Sequence, residues 1–153
     1  DDSNAKIIVM GQLGILGKDF DLKRNDRLFL NCHPGKLPEY RGLDSFKWAI
    51  LNKDWENLSC TIHIARQKID GGEILEINNY NWRRLNWLFL DRQLLVISGI
   101  DLVNFINKLS PNDTLNEIHK IKNLEKNNFD LYNKINIYKE MKCLIIYLIR
   151  KYY

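Results

Sequence analysis

The 153-residue sequence predicts an α/β fold with a sheet that is at least partly parallel, and three features of the chain indicate it. Short runs rich in β-branched and other apolar residues alternate with segments of helical periodicity. Loops that carry glycine or proline separate these runs. The resulting order is strand, loop, strand, helix, strand, strand, helix, which is typical of α/β folds.

Four strands are predicted from short apolar runs bounded by turn residues. Residues 6–10 (KIIVM) and 27–32 (RLFLNC) are separated by a loop that contains three glycines. The run 59–65 (SCTIHIA) alternates in polarity and is rich in β-branched residues. A turn at 69–72 (IDGG) then leads into the fourth strand at 73–77 (EILEI).

Two helices are predicted within this order. Residues 43–52 (LDSFKWAILN) carry apolar side chains at helical spacing, with Asp44 or Ser45 as the N-cap. Apolar residues also recur at helical intervals over 85–109, and Pro111 closes that segment because proline cannot continue a helix. The longer segment is the stronger helix prediction.

The character of the sequence changes after residue 110. Asparagine and lysine crowd residues 112–138, where a helix over 114–124 is predicted. The final stretch 141–153 (MKCLIIYLIRKYY) holds seven consecutive apolar residues between basic ones, too short a run to span a bilayer. It is predicted to form a core-facing helix or strand, with a membrane-surface helix as the alternative. We therefore divide the chain into a core at 1–110 and an Asn/Lys-rich helical extension at 111–153.

Composition limits the class of function. The formal net charge is +4, and lysine and arginine are scattered rather than clustered, so a nucleic-acid partner is not expected. The three cysteines, Cys32, Cys60 and Cys143, are far apart and lack metal-ligand spacing, which fits reduced thiols and a cytoplasmic location. We find neither a secretory leader pattern nor eighteen consecutive apolar residues, so neither export nor a transmembrane segment is expected.

Polar side chains collect where the second strand ends. Asn31 and His33 occupy alternate positions and therefore point to the same side, while Cys32 faces the opposite side. Ligand sites of open α/β sheets form at such carboxyl ends. Two prolines and two glycines within residues 34–42 stiffen the loop beyond. Asp70, in the glycine-rich turn, is predicted to lie beside His33.

An amide, an imidazole and a carboxylate together suit acyl transfer. The Asn31 amide would stabilise a developing oxyanion, His33 would move protons near neutral pH, and Asp70 would orient the imidazole. Each residue also has a purely structural interpretation. Asn and Asp side chains commonly hydrogen-bond to the backbone of turns, and a loop histidine can form ordinary hydrogen bonds without a catalytic role. The combination of the three residues favours the catalytic interpretation.

Two motifs resemble one known family. NCHPGKLPEYRG at 31–42 resembles the signature loop N-x-H-P/A-x-x-LP-x-YRG of the folate-dependent formyltransferases. TIHIARQKIDGGEIL at 61–75 resembles the later T-x-H and I-D-x-G-x-I motif of the same family, in the family's order. That family includes methionyl-tRNA formyltransferase, glycinamide ribonucleotide transformylase and the sugar N-formyltransferases of surface-polysaccharide biosynthesis.

The resemblance implies a Rossmann-like domain that transfers a formyl group from 10-formyltetrahydrofolate to an amine, without a metal. Asn31, His33 and Asp70 match the family's catalytic Asn, His and Asp. His63 also follows the family pattern and is interpreted as a packing or supporting residue. The segment expected to meet the pteridine ring of the folate consists of Gly11, Gln12, Leu13, Gly14, Ile15 and Leu16.

The amine acceptor is predicted to be a nucleotide-linked amino sugar, such as a dTDP- or GDP-activated 4-amino-deoxyhexose. Lys36 and the tryptophan-bearing helix that follows the loop look closer to the sugar N-formyltransferases than to the tRNA enzyme. Methionyl-tRNA and glycinamide ribonucleotide are the alternative acceptors. The oligomeric state stays open, with a homodimer as one option.

The resemblance covers residues 6–109 and is strongest over 30–77. Family members have further strands before the first one here, so the chain is interpreted as a truncated form in which 1–110 is the C-terminal part of the catalytic domain. Residues 65–68 (ARQK) depart from the family, which carries an acidic residue just before I-D-x-G. An inactive formyltransferase-like remnant and a folate-binding module without turnover are the alternatives from other functional classes.

Overall fold

The computed structural model describes residues 6–10, 26–109 and 131–152. Within these ranges the strands are β1 (Ile7–Met10), β2 (Leu28–His33), β3 (Arg41–Gly42), β4 (Ser59–Ile64), β5 (Ile74–Asn79) and β6 (Leu131–Tyr132). The α-helices are α1 (Ser45–Leu51), α2 (Leu90–Lys108) and α3 (Ile137–Tyr152). Short 3₁₀ turns span Trp55–Asn57, Trp82–Arg84 and Trp87–Phe89.

The main sheet has the strand order β1-β2-β4-β5. β1 pairs with β2 in parallel, whereas β2 with β4 and β4 with β5 are antiparallel. This mixed sheet with helices confirms the predicted α/β class and the partly parallel sheet, and all four predicted strands are present. A small second ladder, which the sequence does not indicate, joins Arg41 to Leu131 and Gly42 to Tyr132.

Both predicted helices are present, but the second begins later than the sequence predicts. α1 begins as expected, but Asp44 at its N-cap position has a left-handed φ of 53°, and its Oδ2 accepts from Ile135 N at 2.9 Å rather than from α1. α2 begins at Leu90, five residues later than the apolar pattern suggests. Asn86 accounts for the delay, because its side chain accepts from Leu88 N while its own N–H donates to Gln93, and these local bonds compete with helix formation.

Two large clusters of buried side chains form most of the core. One lies between the sheet and α2, with Leu28, Leu30, Ile62 and Leu102 among its members. The other is built around α1, α3 and the turns before α2, and contains Phe46, Ile50, Leu85, Cys143 and Tyr147. α2 therefore covers one face of the sheet. The other face carries a small apolar cluster of Met10, Phe29 and Ala65, followed by the polar side chains of β2 and β4.

The C-terminal apolar stretch forms α3, whose inner side faces the core as predicted. Cys143 and Tyr147 are buried against α1, and the Tyr147 hydroxyl donates to Leu85 O at 2.5 Å. The outer side of α3 exposes Ile145 and Ile149. No helix within the described ranges is both long and apolar enough to cross a membrane.

Two sequence predictions lie outside the described residues and stay predictions. They are the helix over 114–124 and the domain boundary at residue 110. The three cysteines carry free thiols, and all are buried.

Candidate active site

The polar face of β2 and β4 carries the residues singled out by the sequence. Register pairs Asn31 with His63 and His33 with Thr61, so these four side chains share one face of the sheet. Cys32 packs with the apolar cluster on the opposite face, as the alternation predicts. The carboxyl end of β2 therefore presents an amide and an imidazole beside a second imidazole from β4.

Asp70 lies against both imidazoles. It sits in the turn between β4 and β5 with a left-handed φ of 46°. Its Oδ2 is 3.5 Å from His33 Nδ1, and its Oδ1 is 3.7 Å from His63 Nε2. The Asp70 side chain is only 11% exposed. The structure thus brings together the three residues that the sequence pattern nominates, and a single carboxylate bridges two histidines.

His63 fixes the orientation of the Asn31 amide. Its Nδ1–H donates to Ile64 O at 3.0 Å, and its Nε2 lies 3.1 Å from Asn31 Nδ2, so Nε2 accepts a hydrogen bond from the amide. Burial lowers the pKa of His63 to about 4, against the opposing influence of Asp70, which keeps the ring neutral near pH 7. The second amide hydrogen of Asn31 is left to donate elsewhere.

The sequence does not name the partners of His63. The T-x-H pattern indicates a packing or supporting residue, and the structure gives it a hydrogen bond to Asn31 and a facing carboxylate from Asp70. The signal that would reveal these contacts is the strand register, since only the pairing of Asn31 with His63 places the two side chains opposite each other.

The ring of His33 is held between two acceptors. Its Nε2 donates to the carbonyl oxygen of Tyr40 at 2.6 Å, and its Nδ1 faces Asp70. Both partners can only accept, so each ring nitrogen of His33 faces an acceptor. Gly35 lies close beside it, and a Cβ at that position would come within 2.9 Å of His33 Nε2. Any larger residue at position 35 would therefore press on the imidazole.

The loop that follows β2 is braced against the Asp70 turn. Arg41 is buried and donates from Nε to Ile69 O at 3.2 Å, with a second short bond from its Nη2. Gly42 N donates to Asp70 Oδ2 at 2.9 Å. Arg41 thus braces the loop against the turn that carries Asp70. Lys36 ties the loop to the 3₁₀ turn Trp55–Asn57, because its Nζ donates to Asn57 Oδ1 at 2.7 Å.

The folate segment predicted at Gly11–Leu16 lies outside the described residues. A cavity of about 460 Å³ exists elsewhere, lined by Asn78, Tyr80, Arg84, Asp101 and their neighbours. Asn31, His33, His63 and Asp70 do not line that cavity. We assign the candidate site to these four residues because their polar groups converge within hydrogen-bonding or ion-pairing distance, which is what acyl-transfer chemistry requires.

Comparisons with known proteins point to one family. A family model described as "Formyl transferase" matches residues 2–80. Methionyl-tRNA formyltransferase from Borreliella afzelii is 28% identical over 120 residues, which cover 78% of this chain and 34% of that protein. Phosphoribosylglycinamide formyltransferase from Haemophilus influenzae is 35% identical over 69 residues, covering 45% of this chain and 32% of that protein.

A solved structure extends the likeness to most of the fold. It is the formyltransferase PseJ from Anoxybacillus kamchatkensis, in complex with UDP-4,6-dideoxy-4-formamido-L-AltNAc and tetrahydrofolate. The TM-score is 0.59 at 19% identity, over 95% of this chain and 70% of that one. The chain spans about a third of the length of the two curated relatives described above. Since the family model covers more than half of its residues, the chain belongs to the formyl transferase family.

Proposed function

We propose that this chain transfers a formyl group from 10-formyltetrahydrofolate to a primary amine. The observation that carries the proposal is the Asp70 carboxylate, which lies between His33 and His63 beside the Asn31 amide. 10-Formyltetrahydrofolate is the formyl donor of the family. The residues fit this co-substrate, because an amide N–H and an imidazolium N–H are suitable donors to a formyl oxygen that gains negative charge.

The reaction is an acyl transfer between two nitrogens. The neutral amine attacks the formyl carbon, and the carbonyl oxygen takes the negative charge. The free amide hydrogen of Asn31 and an N–H of protonated His33 stabilise that oxyanion, each by about 3 kcal/mol, or roughly a hundredfold in rate. The bond from the carbon to folate N10 then breaks. The proton lost by the amine reaches N10 through a water held by Asp70, giving the formamide and tetrahydrofolate.

His33 has to change one partner for this role. Its Nε2–H donates to Tyr40 O in the present arrangement. We propose that the formyl oxygen takes the place of this carbonyl when the co-substrate binds, while Asp70 keeps hold of Nδ1. The folate ring itself would be held by the backbone of residues Gly11–Leu16, as the family resemblance implies.

The proposed acceptor is a nucleotide-linked amino sugar, with a role in surface-polysaccharide biosynthesis. This choice rests on the resemblance of the loop and first helix to sugar N-formyltransferases, and PseJ, the solved neighbour, holds a UDP-linked formamido sugar. Its 19% identity supports the fold and not the acceptor. Methionyl-tRNA formyltransferase is the relative that aligns over 78% of the chain. Methionyl-tRNA and glycinamide ribonucleotide therefore belong in the same test.

The test follows release of tetrahydrofolate from 10-formyltetrahydrofolate in the presence of each acceptor. The panel contains dTDP-, GDP- and UDP-linked amino sugars, methionyl-tRNA and glycinamide ribonucleotide. We expect turnover with one amino sugar, a loss of about a hundredfold in Asn31→Ala and at least as much in His33→Ala. Lys142→Ala is the matched control, since Lys142 is exposed on the outer side of α3.

The outcomes separate the candidate functions. Turnover with methionyl-tRNA or glycinamide ribonucleotide alone would replace the proposed acceptor and keep the chemistry. Tetrahydrofolate binding without turnover of any acceptor would overturn the catalytic proposal in favour of a binding module. Equal rates in His33→Ala and the parent chain would remove His33 from the mechanism.

A further inference from the structure

The segment 131–135 lies against the loop that follows β2. β6 pairs in parallel with β3, which places Tyr132 opposite Gly42. The carbonyl oxygen of Tyr132 also accepts from Leu43 N at 3.0 Å. A segment that is distant in sequence therefore pairs with the loop through backbone hydrogen bonds.

Two further bonds fix the same segment next to α1. Trp48 Nε1 donates to the carbonyl oxygen of Asn133 at 2.7 Å. Ile135 N donates to Asp44 Oδ2 at 2.9 Å, and the Ile135 side chain is buried. The segment is thus anchored to the loop at one end and to α1 at the other.

The ring of Tyr132 packs between the loop and α1. It stacks on the ring of Tyr40 with centroids 5.6 Å apart and an interplanar angle of 21°. It also contacts Trp48, with centroids 4.9 Å apart. Aromatic pairs at such distances attract each other beyond the area that they bury. Tyr132 therefore holds the loop by its ring as well as by its backbone.

The loop carries two backbone groups that contact the candidate catalytic side chains. The carbonyl oxygen of Tyr40 accepts from His33 Nε2 at 2.6 Å. The N–H of Gly42 donates to Asp70 Oδ2 at 2.9 Å. Tyr132 contacts both loop residues, Tyr40 through its ring and Gly42 through the ladder. It is therefore one contact away from each of the groups that orient His33 and Asp70.

The approach at Gly42 is a close one. Gly42 has a left-handed φ of 95°, and a Cβ at this position would lie 2.3 Å from the carbonyl oxygen of Tyr132. The two backbones thus pack directly on each other, which glycine alone allows. A displacement of Tyr132 would be passed to the N–H that Asp70 accepts.

We propose that Tyr132 is a positioning residue of the candidate active site. It holds the Tyr40 carbonyl and the Gly42 N–H in the places from which they orient His33 and Asp70. The C-terminal extension then supports the site through this residue. The inference deepens the proposed function and rests on it for the effect on turnover, whereas the effect on the loop does not depend on turnover.

The first test is amide hydrogen exchange on the full chain. Tyr132→Ala should make the Gly42 amide exchange at least about tenfold faster, because the loop loses its aromatic contact. The reference is the Tyr80 amide, which donates to Leu58 O at 2.8 Å and should change less. Tyr132→Phe keeps the ring and should match the parent chain. Tyr138→Ala is the control, since Tyr138 is a 73% exposed tyrosine on α3.

Imidazole NMR supplies the second readout. We expect the His33 Nε2 signal to move in Tyr132→Ala and to stay in place in Tyr132→Phe, since that nitrogen donates to the loop. The titration of His63 should remain that of the parent, because its bonds to Asn31 and Ile64 do not involve the loop.

The outcomes separate positioning from support of the whole fold. Equal acceleration of the Gly42 and Tyr80 amides, or an unmoved His33 signal, would overturn the positioning role. Tyr132→Leu keeps apolar volume without the planar ring, and it decides the test if Tyr132→Ala does not fold. Failure of both variants to fold would assign Tyr132 to stability and would also overturn the proposal.

The kinetic counterpart is a fall in kcat of about tenfold in Tyr132→Ala, with little change in KM and recovery in Tyr132→Phe. Exchange and NMR need no turnover. If the proposed function failed, these two measurements would still decide whether Tyr132 positions the loop.

Discussion

The two faces of β2 and β4 differ in the kind of contact that their side chains make. One face carries Asn31 and His33, whose polar groups form hydrogen bonds with His63 and with the carbonyl oxygen of Tyr40. The other face carries Leu30, Cys32 and Ile62, which pack beneath α2 through contacts that depend on shape and volume. Alternation along the strand puts these two environments within one residue of each other.

The difference shows that burial alone does not identify a functional residue. His63 is 1% exposed and Cys60 is fully buried, yet they lie on opposite faces of one strand. His63 is surrounded by polar partners. Cys32, by contrast, has its pKa raised by its neighbour Cys60 and by burial, so its thiol stays protonated and behaves as a small apolar side chain. What separates the two faces of these strands is that one carries amide, imidazole and hydroxyl groups, whereas the other carries apolar side chains and thiols.

The largest expected effect on stability comes from the packing face. Ile62 is fully buried in the cluster beneath α2. We expect Ile62→Ala to lower the free energy of unfolding by about 2–5 kcal/mol, because it removes buried methyl groups and leaves a cavity. Ile62→Val should cost about 0.5–1.5 kcal/mol. Urea denaturation measures both values.

The same variants sharpen the comparison of the faces. The NMR titration of His63 should be unchanged in Ile62→Ala, since the substitution lies on the other side of the sheet. A displaced titration would show that the two faces are coupled through the strand, and the division drawn above would then be wrong.

The second effect, on the order of 3 kcal/mol, depends on pH and belongs to the polar face. An unfolded histidine binds a proton near pH 6.5, whereas folded His63 binds one only near pH 4. The unfolded state therefore holds more protons between these values. The contribution of His63 to the free energy of unfolding should be complete above about pH 6.5, fall as the pH drops to about 4, and level off below.

The measurement is the free energy of unfolding from pH 3 to 8 for the parent chain and for His63→Gln. Other groups titrate in this window, so the difference between the two curves isolates His63. Parallel curves would show that folding does not lower the pKa of His63, and burial would then not be what keeps the ring neutral.

Local signals in the sequence were sufficient for the strands and for the shared face of Asn31 and His33, which follows from period-two alternation. The glycines after Asp70 mark a turn, but its approach to His33 depends on the pairing of β2 with β4. The start of α2 was misplaced because apolar spacing does not report the side-chain bonds of Asn86. Strand alternation and the hydrogen bonds of Asn86 are both short-range effects, but only the alternation can be read from the sequence pattern.

The rest depends on contacts between distant segments. The pairing of Arg41 with Leu131 and the hydrogen bond from Asn31 to His63 join residues far apart in the chain. The ion pair of Arg66 with Glu73 depends on how the turn folds back, and residue type alone does not indicate it. The catalytic roles and the folate segment at Gly11–Leu16 remain predictions from the motifs.

A third effect, about 2 kcal/mol, concerns Thr61, which lies on the polar face opposite His33. Its hydroxyl donates to Gly35 O at 2.7 Å and accepts from Leu37 N at 3.1 Å, and the residue is fully buried. Thr61→Val keeps the shape but leaves both backbone groups without this partner. Urea denaturation should show the loss of stability, and Thr61→Ser should lose less because it keeps the hydroxyl.

Thr61→Val also tests whether the polar face acts as one unit. The loop that Thr61 anchors carries Tyr40, whose carbonyl accepts from His33. If the loop only supports the ring, the imidazole signals of His33 should shift in Thr61→Val while those of His63 stay in place, since His63 is held by Asn31 and Ile64. Equal shifts of both rings would mean that the two histidines respond together through Asp70, and that the loop and the turn form a single cooperative site.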